Sequence, residues 1–400
     1  MTTAPVSRLV PILLVLVSAL SILSTDLYAP SLPDLTVFFQ TDTRSVQLTL
    51  VVNLAAFAVG QLIYGPLSDR YGRRPIILWS LVGFTLASIG CALSTSIQSL
   101  LLFRVLQGLV ISAEAVIVLA VIRDLWDDTA GARIMAFYGM TIAAAPAAAP
   151  ILGGYIHVWL GWQANFWLMA GLSLLGFWAL YRALPESTTP DPLALVPARL
   201  AGSFGRLFRN RVFLAYSVLC GAMMGAVFGF IAEAPFILIE RYNVPTEIYG
   251  YYYAAIVAAY AAGAWFAHGA VGRWGLITVT WIGVIQMLVA GSVLGGVVVS
   301  DVTTPATYTL PLMLFTFGMG QAFATSPLLA MGATREGKGL ASALFGSLEM
   351  ALAALGGLLA ATLHDGGPST TAIILTASGV LSLAALCVAR WRPRPHPTVT

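Results

Sequence analysis

Residues Gly65 to Pro75 read GPLSDRYGRRP, and this stretch lies between two long apolar runs. It concentrates charge in a chain that has little elsewhere: its ionisable residues are Asp69, Arg70, Arg73 and Arg74. Glycines at Gly65 and Gly72 permit a tight turn of the backbone. Because arginines beside membrane spans favour the cytoplasmic side, the stretch predicts a short cytoplasmic hairpin between two membrane-spanning helices.

The composition of the whole chain indicates an integral membrane protein. Of its 400 residues, 58% are hydrophobic and 9% are charged, whereas soluble domains have about 25% charged residues. A soluble helical protein with a large core is the alternative, but so few polar side chains would not cover such a core in water. A spanning helix needs about 20 mostly apolar residues. The predicted fold class is therefore an all-α membrane protein in a lipid bilayer.

Hydropathy and helix-breaking residues divide the chain into twelve predicted spans. They lie at residues 9–29, 45–64, 76–94, 99–122, 134–157, 163–184, 212–238, 248–267, 275–299, 306–331, 340–363 and 371–389. With the N-terminus inside, most of the 20 Lys and Arg residues fall on the cytoplasmic side. Arg44 and Arg241 fall on the other side, and Arg104 lies within the fourth span. This distribution predicts a multi-pass protein of a bacterial inner membrane with both termini in the cytoplasm.

The longest polar connection, residues 185–211, is rich in proline and arginine and separates two sets of six spans. We predict an N-terminal six-helix bundle at 1–184, a cytoplasmic linker at 185–211, and a C-terminal six-helix bundle at 212–400. The string WFAHGAVGRWG, from Trp265 to Gly275, follows the eighth span as GPLSDRYGRRP follows the second. Such parallel repeats predict two pseudo-symmetric bundles related by an axis along the membrane normal.

Two further motifs lie within spans. The fourth span contains RVLQGLVISAEA with Arg104, and the fifth contains APAAAPILGG with Pro150, Gly153 and Gly154. Small residues allow helices to pack closely, and a proline bends a helix because it removes a backbone hydrogen bond. Aromatic residues near span ends, which include Tyr251, Tyr252 and Tyr253, are expected to form a belt at the membrane interface.

Together these motifs resemble the major facilitator superfamily over the full length of the chain. Gly65 to Arg74 is similar to that family's loop between the second and third helices, and the residues around Arg104 are similar to its fourth-helix motif. STDLYAPSLPDL, from Ser24 to Leu35, and APFILIERY in the seventh span resemble a narrower group. That group is the bicyclomycin/chloramphenicol-resistance (Bcr/CflA) branch of drug:proton antiporters.

The resemblance implies a conformational latch at the loop. In that latch Asp69 would pair with Arg123, at the inner end of the fourth helix, and with the N-terminus of the eleventh helix. The implied latch residues are Gly65, Asp69, Arg70, Gly72, Arg73, Arg74 and Arg123. The alternative is that these residues only fix the topology and anchor the loop at the lipid surface.

The resemblance also implies an antiporter motif in the fifth helix, made here by Pro150, Gly153 and Gly154. The family pattern has further glycines, which this chain replaces with alanines. These alanines are Ala136, Ala145 and Ala149. Alanine is still small, so close helix packing is expected, but the motif alone indicates antiport less strongly than a complete one would.

Four acidic residues lie within predicted spans, and they are Asp26, Glu114, Glu233 and Glu349. A charged carboxylate at the bilayer centre costs about 2.5–3.5 kcal/mol on insertion scales, so such residues face a cavity or a partner, or are protonated. Glu114 and Glu349 are the deepest and are expected to face a central cavity, whereas Asp26 and Glu233 lie nearer the outer mouth. We predict that the four serve proton coupling or line the substrate cavity. The alternative is a protonated carboxyl hydrogen-bonded between helices.

The resemblance implies that Asp26 is the first-helix carboxylate of proton or substrate coupling, and that Arg104 influences the protonation of a nearby acid. Arg104 and Glu114 are about 15 Å apart along one helix, so they cannot pair directly. Arg104 is therefore expected to act on the first helix. The alternative is that Arg104 is a packing residue.

The resemblance implies proton-coupled efflux of small amphipathic drugs, similar to chloramphenicol and bicyclomycin, by alternating access. Glu114 and Glu349, which are not part of that branch's pattern, add cationic lipophiles to the expected substrates. A proton-coupled metabolite exporter or importer of the same fold is one alternative, and a non-transporting receptor or assembly factor is another. No phosphate-binding loop, nucleophile elbow or zinc-ligand spacing occurs in the sequence. We therefore expect no enzyme activity, cofactor, metal or nucleic-acid partner, and we expect a monomer.

Overall fold

The computed structural model describes residues 9–390, with gaps at 193, 195–196 and 335–337, so that both termini lie outside the described residues. Within the described part, eleven helices are long and apolar enough to cross a membrane. The longest, Thr246–Val299, has non-helical backbone at Gly275 (φ 77°, ψ 160°) and therefore consists of two spans. Twelve spans result, as the sequence predicts, and the same described residues contain no β-strand.

The spans are labelled in chain order. They are α1 Leu9–Asp26, α2 Thr43–Tyr71, α3 Arg73–Ala92, α4 Ile97–Leu125, α5 Asp128–Leu160, α6 Gln163–Ala183, α7 Arg211–Pro235, α8 at 246–274, α9 at 276–299, α10 Pro305–Gly332, α11 Lys338–Leu363 and α12 Ser369–Arg390. Short turns of helix, Ala29–Ser31 and Leu32–Phe38, follow α1. A π-helical segment, Phe236–Arg241, follows α7.

The turn between α2 and α3 is tighter than the sequence indicates. Instead of a turn over the whole of Gly65 to Pro75, α2 continues to Tyr71 and α3 begins at Arg73. Gly72 alone reverses the chain, with φ 98° and ψ 153°, and its N–H donates to the Ser68 carbonyl at 3.1 Å. Side chains other than glycine rarely adopt this φ. Gly275, between α8 and α9, has nearly the same conformation, and this agrees with two pseudo-symmetric bundles.

The first six and the last six spans form two bundles that contact each other along two seams. In one seam α2 packs on α11, and the Ser347 hydroxyl donates to the Ala58 carbonyl at 2.9 Å. In the other seam α5 packs on α8, and a Cβ added at Gly250 would lie 2.5 Å from the backbone of Ile151. These seams leave a space between the bundles. We call the end that carries the Gly72 turn the loop end, and the opposite end the far end.

The connection between α6 and α7 contains a helix that was not predicted from the sequence. A helix, Pro197–Arg209, lies within it, and the segment before that helix runs over the loop end. The Asp191 N–H donates to the Asp69 carbonyl at 2.9 Å, and the Arg70 guanidinium donates to the Pro192 carbonyl at 2.7 Å. The predicted boundaries at 184 and 212 stay predictions.

Candidate functional site

A cavity of about 1100 Å³ lies between the two bundles. It begins at the buried side chains of Asp26 and Tyr253 and extends to Asp69 and Arg123 at the loop end. The Asp69 side chain is 49% exposed there. The cavity is therefore open at the loop end.

The cavity wall is mostly apolar and aromatic. Its aromatic and methionine residues include Phe57, Tyr138, Met224, Phe228, Phe230, Tyr260, Phe315, Met319, Phe323, Phe345 and Met350. A few polar side chains interrupt it, among them Asn53 and Gln61. An apolar wall with few polar groups is typical of sites for small organic molecules.

Asp26 is the last residue of α1. It lies at the closed end of the cavity, away from the loop end, and is 4% exposed. Its carboxylate accepts from the Thr25 hydroxyl at 2.9 Å and from the Tyr253 hydroxyl at 3.5 Å. Tyr253 belongs to the other bundle, so this bond joins the two halves. The sequence assigns Tyr253 to the interfacial belt, and this is wrong: the residue is 5% exposed and stacks on Phe230, with ring centroids 5.9 Å apart.

Glu349 also lines the cavity, from α11, and its side chain is half-buried. None of the described residues forms a hydrogen bond or an ion pair with its carboxylate. The structure therefore agrees with the expectation that this acid faces the cavity.

Glu114 does not line the cavity, contrary to the expectation from sequence. It is fully buried, and neither carboxylate oxygen has a hydrogen-bond partner among the described residues. The next two residues of α4, Ala115 and Val116, line the cavity instead. Val110, one turn before Glu114, lies against Gly83 of α3. Glu114 is thus on the face of α4 that is turned toward α3, and its role in proton coupling stays a prediction.

Arg104 is fully buried and connects three helices. Its guanidinium donates to the Ser24 carbonyl of α1 at 2.6 Å, to the Thr49 carbonyl of α2 at 3.1 Å, and to the Gln107 side chain of α4. It also lies over the Tyr28 ring, 4.5 Å from the centroid. Arg104 forms no ion pair with any described acid. It contacts the first helix through a backbone carbonyl close to Asp26, and its influence on a nearby proton site stays a prediction.

Glu233 belongs to a polar cluster that joins the bundles at the far end. Gln47 of α2 donates through Nε2 to the Glu233 carboxylate at 2.9 Å and to the Ala232 carbonyl at 3.0 Å. His364, just after α11, lies 2.9 Å from the same carboxylate through Nδ1. Sequence reasoning considered only ionisable residues within spans, so it missed Gln47 and His364. A glutamine inside an apolar span was the signal available for Gln47.

The fifth-helix residues close the far end by backbone contact. A Cβ added at Gly153 would lie 1.7 Å from the Leu27 carbonyl oxygen, and one added at Gly154 would lie 2.8 Å from the Thr246 carbonyl oxygen. Pro150 precedes them within α5 and is buried. The motif therefore packs α5 against the end of α1 and the start of α8, because only glycine allows so close an approach.

The predicted latch residues are assembled at the loop end, but with different partners. Asp69 pairs with Arg73 at 2.6 Å, and not with Arg123. The Arg123 guanidinium donates to the Leu119 carbonyl of its own helix. Asp69 and Arg123 lie in the same bundle, and in this state Asp69 is paired within the turn instead. The latch stays a prediction.

The linker supplies a further acid that the sequence did not suggest. The Glu186 carboxylate accepts from the backbone N–H groups of Arg73 at 2.8 Å and of Arg74 at 3.2 Å. These N–H groups belong to the first turn of α3 and therefore have no partner within the helix. A negative charge is favourable at a helix N-terminus. Gly65, the first residue of the loop motif, lines the cavity close to Val116.

Two six-helix bundles around a cavity that is open at one end are the architecture of a membrane transporter. A sequence profile of the Major Facilitator Superfamily matches residues 14–348, and the chain belongs to this family. It is 28% identical over 376 residues to a chloramphenicol resistance protein of Pseudomonas aeruginosa, with 93% of this chain and 88% of that protein covered.

Two other comparisons agree with this membership. The chain is 27% identical over 385 residues to multidrug resistance protein D of Escherichia coli K12, with 96% and 94% of the two chains covered. Its fold is similar to that of a D-xylose-proton symporter of known structure. That comparison has a TM-score of 0.74 at 16% identity and covers 96% of this chain and 97% of the other.

The far-end cluster predicts a pH-dependent stability. The hydrogen bond to Glu233 raises the pKa of the His364 imidazole, although partial burial acts in the opposite direction, and the charges of Asp365 and Glu240 add to the increase. His364 therefore contributes fully below about pH 6.5, the ordinary value of histidine, and its contribution is lost as the pH rises through the raised pKa. We expect the melting-temperature difference between the protein and a His364→Gln variant to shrink as the pH rises. A His268→Gln variant, which changes an exposed histidine of α8, is the control, and a pH-independent difference at His364 would contradict the assignment.

Proposed function

We propose that the chain exports small amphipathic drugs in exchange for protons, by alternating access across a bacterial inner membrane. The observation that supports this most directly is the buried Asp26 carboxyl at the closed end of the cavity. It is hydrogen-bonded to Tyr253 of the other bundle. Proton relays of membrane transporters are built from such carboxyls. The expected substrates are similar to chloramphenicol and bicyclomycin, together with cationic lipophiles.

The loop end faces the cytoplasm in this proposal. Its arginines, which include Arg70, Arg73 and Arg74, favour that side of the membrane. Both termini are then cytoplasmic, and the chain acts as a monomer. The bundles at 1–184 and 212–400 move as the two halves of the transporter, joined by the linker.

The described state corresponds to the drug-loading step of the cycle. A drug enters from the cytoplasm or the inner leaflet, and its binding releases the proton from Asp26. The bundles then rock: the bonds from Gln47 to the α7 segment break at the far end, and Asp69 meets the start of α11 at the loop end, where Arg123 of its own bundle joins the latch. The drug leaves outward, a proton binds to Asp26, and the bundles return.

The names of the relatives support export as the direction of transport and drugs as the substrates. The matched proteins include a chloramphenicol resistance protein and a multidrug resistance protein. An importer or a metabolite exporter of the same fold would have a similar architecture, so the transport assay has to separate these cases.

Everted membrane vesicles test the proposal. In vesicles that contain the protein and hold a preformed pH gradient, we expect chloramphenicol or another drug of a broad panel to dissipate the gradient. The drug would be carried into the vesicle lumen in exchange for protons. Vesicles without the protein are the control. If no compound of the panel produced a response, drug:proton antiport would be wrong and a metabolite transporter would be favoured.

A further inference from the structure

The two acids deep in the cavity differ in their surroundings. Asp26 accepts hydrogen bonds from Thr25 and Tyr253. Glu349 lines the same cavity from the opposite bundle, and no described side chain or backbone group is its partner. A carboxylate within a span is stabilised when a cation lies beside it. Glu349 is thus the cavity acid that is available to a bound cation.

The cavity offers this acid no cation of its own. The basic side chains that line the described cavity, Arg73 and Arg123, both lie at the loop end. The deeper wall instead carries aromatic and methionine residues, among them Tyr260 and Met350. Aromatic ring faces attract organic cations. The deep part of the cavity therefore combines one carboxyl group that has no described partner with apolar, polarisable walls.

We propose that Glu349 is the residue that selects lipophilic monovalent cations among the substrates, by acting as the counter-ion of the bound cation. The cation's charge lies at Glu349 and its apolar body lies against the aromatic wall. Asp26 already has hydrogen-bond partners and remains the residue that binds and releases the exchanged proton. Neutral drugs use the apolar wall alone and do not need Glu349. This inference rests on the proposed function, because the bound cation is a substrate only if the chain transports it.

Equilibrium binding of tetraphenylphosphonium to the purified full-length protein tests the inference. We expect Glu349→Gln to weaken binding by about tenfold or more, because the amide keeps the shape of the side chain but removes its charge. Glu349→Asp keeps the charge and should bind within a few-fold of the unchanged protein. Asp301→Asn is the control: it removes an exposed acid at a positive φ that asparagine tolerates.

Each outcome decides the question. If the unchanged protein does not bind tetraphenylphosphonium, or if Glu349→Gln binds it equally well, the inference is wrong. It is also wrong if Glu349→Asp loses as much binding as Glu349→Gln, because then shape and not charge is being measured. If Glu349→Gln loses binding but no drug dissipates the pH gradient in vesicles, the cation site stands and proton-coupled efflux fails.

Discussion

We expect Arg104→Met to lower the free energy of unfolding by more than about 3 kcal/mol, the largest loss for any single substitution considered for this chain. Arg104 is fully buried, and its guanidinium satisfies three acceptors: the Ser24 carbonyl, the Thr49 carbonyl and the Gln107 side chain. Methionine fills a similar volume but donates no hydrogen bond. The Thr49 carbonyl keeps its partner within α2, but the Ser24 carbonyl at the end of α1 and the Gln107 side chain lose their donor, and each buried acceptor left without one costs about 1–3 kcal/mol.

Arg123→Met is the matched control for this substitution. It changes an arginine on the same helix, but this side chain is exposed and donates to the Leu119 carbonyl one turn earlier. Exposed substitutions of this kind usually change stability by less than about 0.5 kcal/mol. Thermal unfolding of the purified variants in one detergent gives the comparison.

The same pair of variants separates the two roles considered for Arg104. A large loss of stability would establish it as the residue that fixes α1 and α2 against α4. If Arg104→Met unfolds like Arg123→Met but no longer dissipates a pH gradient on drug addition, the structural role is wrong. The influence on a nearby proton site would then be favoured.

The number of helices and the sharp turn could be predicted from sequence because both depend on local properties. Apolar length determines each span, and the spacing of Gly72 between two such runs determines where the chain reverses. The extent of the turn could not be predicted. The residues from Gly65 to Tyr71 are polar and glycine-bounded, but they continue α2 because the N–H of Gly72 closes the last helical turn on Ser68.

Which buried acid faces the cavity could not be predicted, because it depends on the rotation of each helix. Glu114 and Glu349 are equally deep in apolar spans, and the sequence treats them alike. Close packing near Gly83 turns Glu114 toward α3, whereas Glu349 lies on the face of α11 toward the cavity. The partners of Glu233 were missed for a similar reason, since Gln47 and His364 are far from it in sequence and meet it only across packed helices.

We expect Asp26→Asn to abolish the drug-induced dissipation of the pH gradient while leaving the fold intact. Asparagine occupies the same space: its carbonyl oxygen accepts from Thr25, and its amide NH2, which replaces the oxygen bonded to Tyr253, can donate to the Tyr253 hydroxyl oxygen. It cannot bind and release a proton near neutral pH. The initial rate of gradient dissipation in everted vesicles should therefore fall to less than about a tenth of that of the unchanged protein, as expected when a proton relay loses its carboxyl.

The control for this variant is Asp42→Asn. Asp42 is an exposed acid at the N-terminus of α2, where its side chain accepts from the Ser45 N–H, and asparagine caps a helix equally well. Both variants should show the thermal stability of the unchanged protein, and Asp42→Asn should keep its transport rate. If Asp26→Asn still responds to drugs as the control does, Asp26 does not carry the proton. Glu233, at the far-end bond between the bundles, would then be the next acid to replace, because the outward opening that we propose would break its contact with Gln47 and expose it to water.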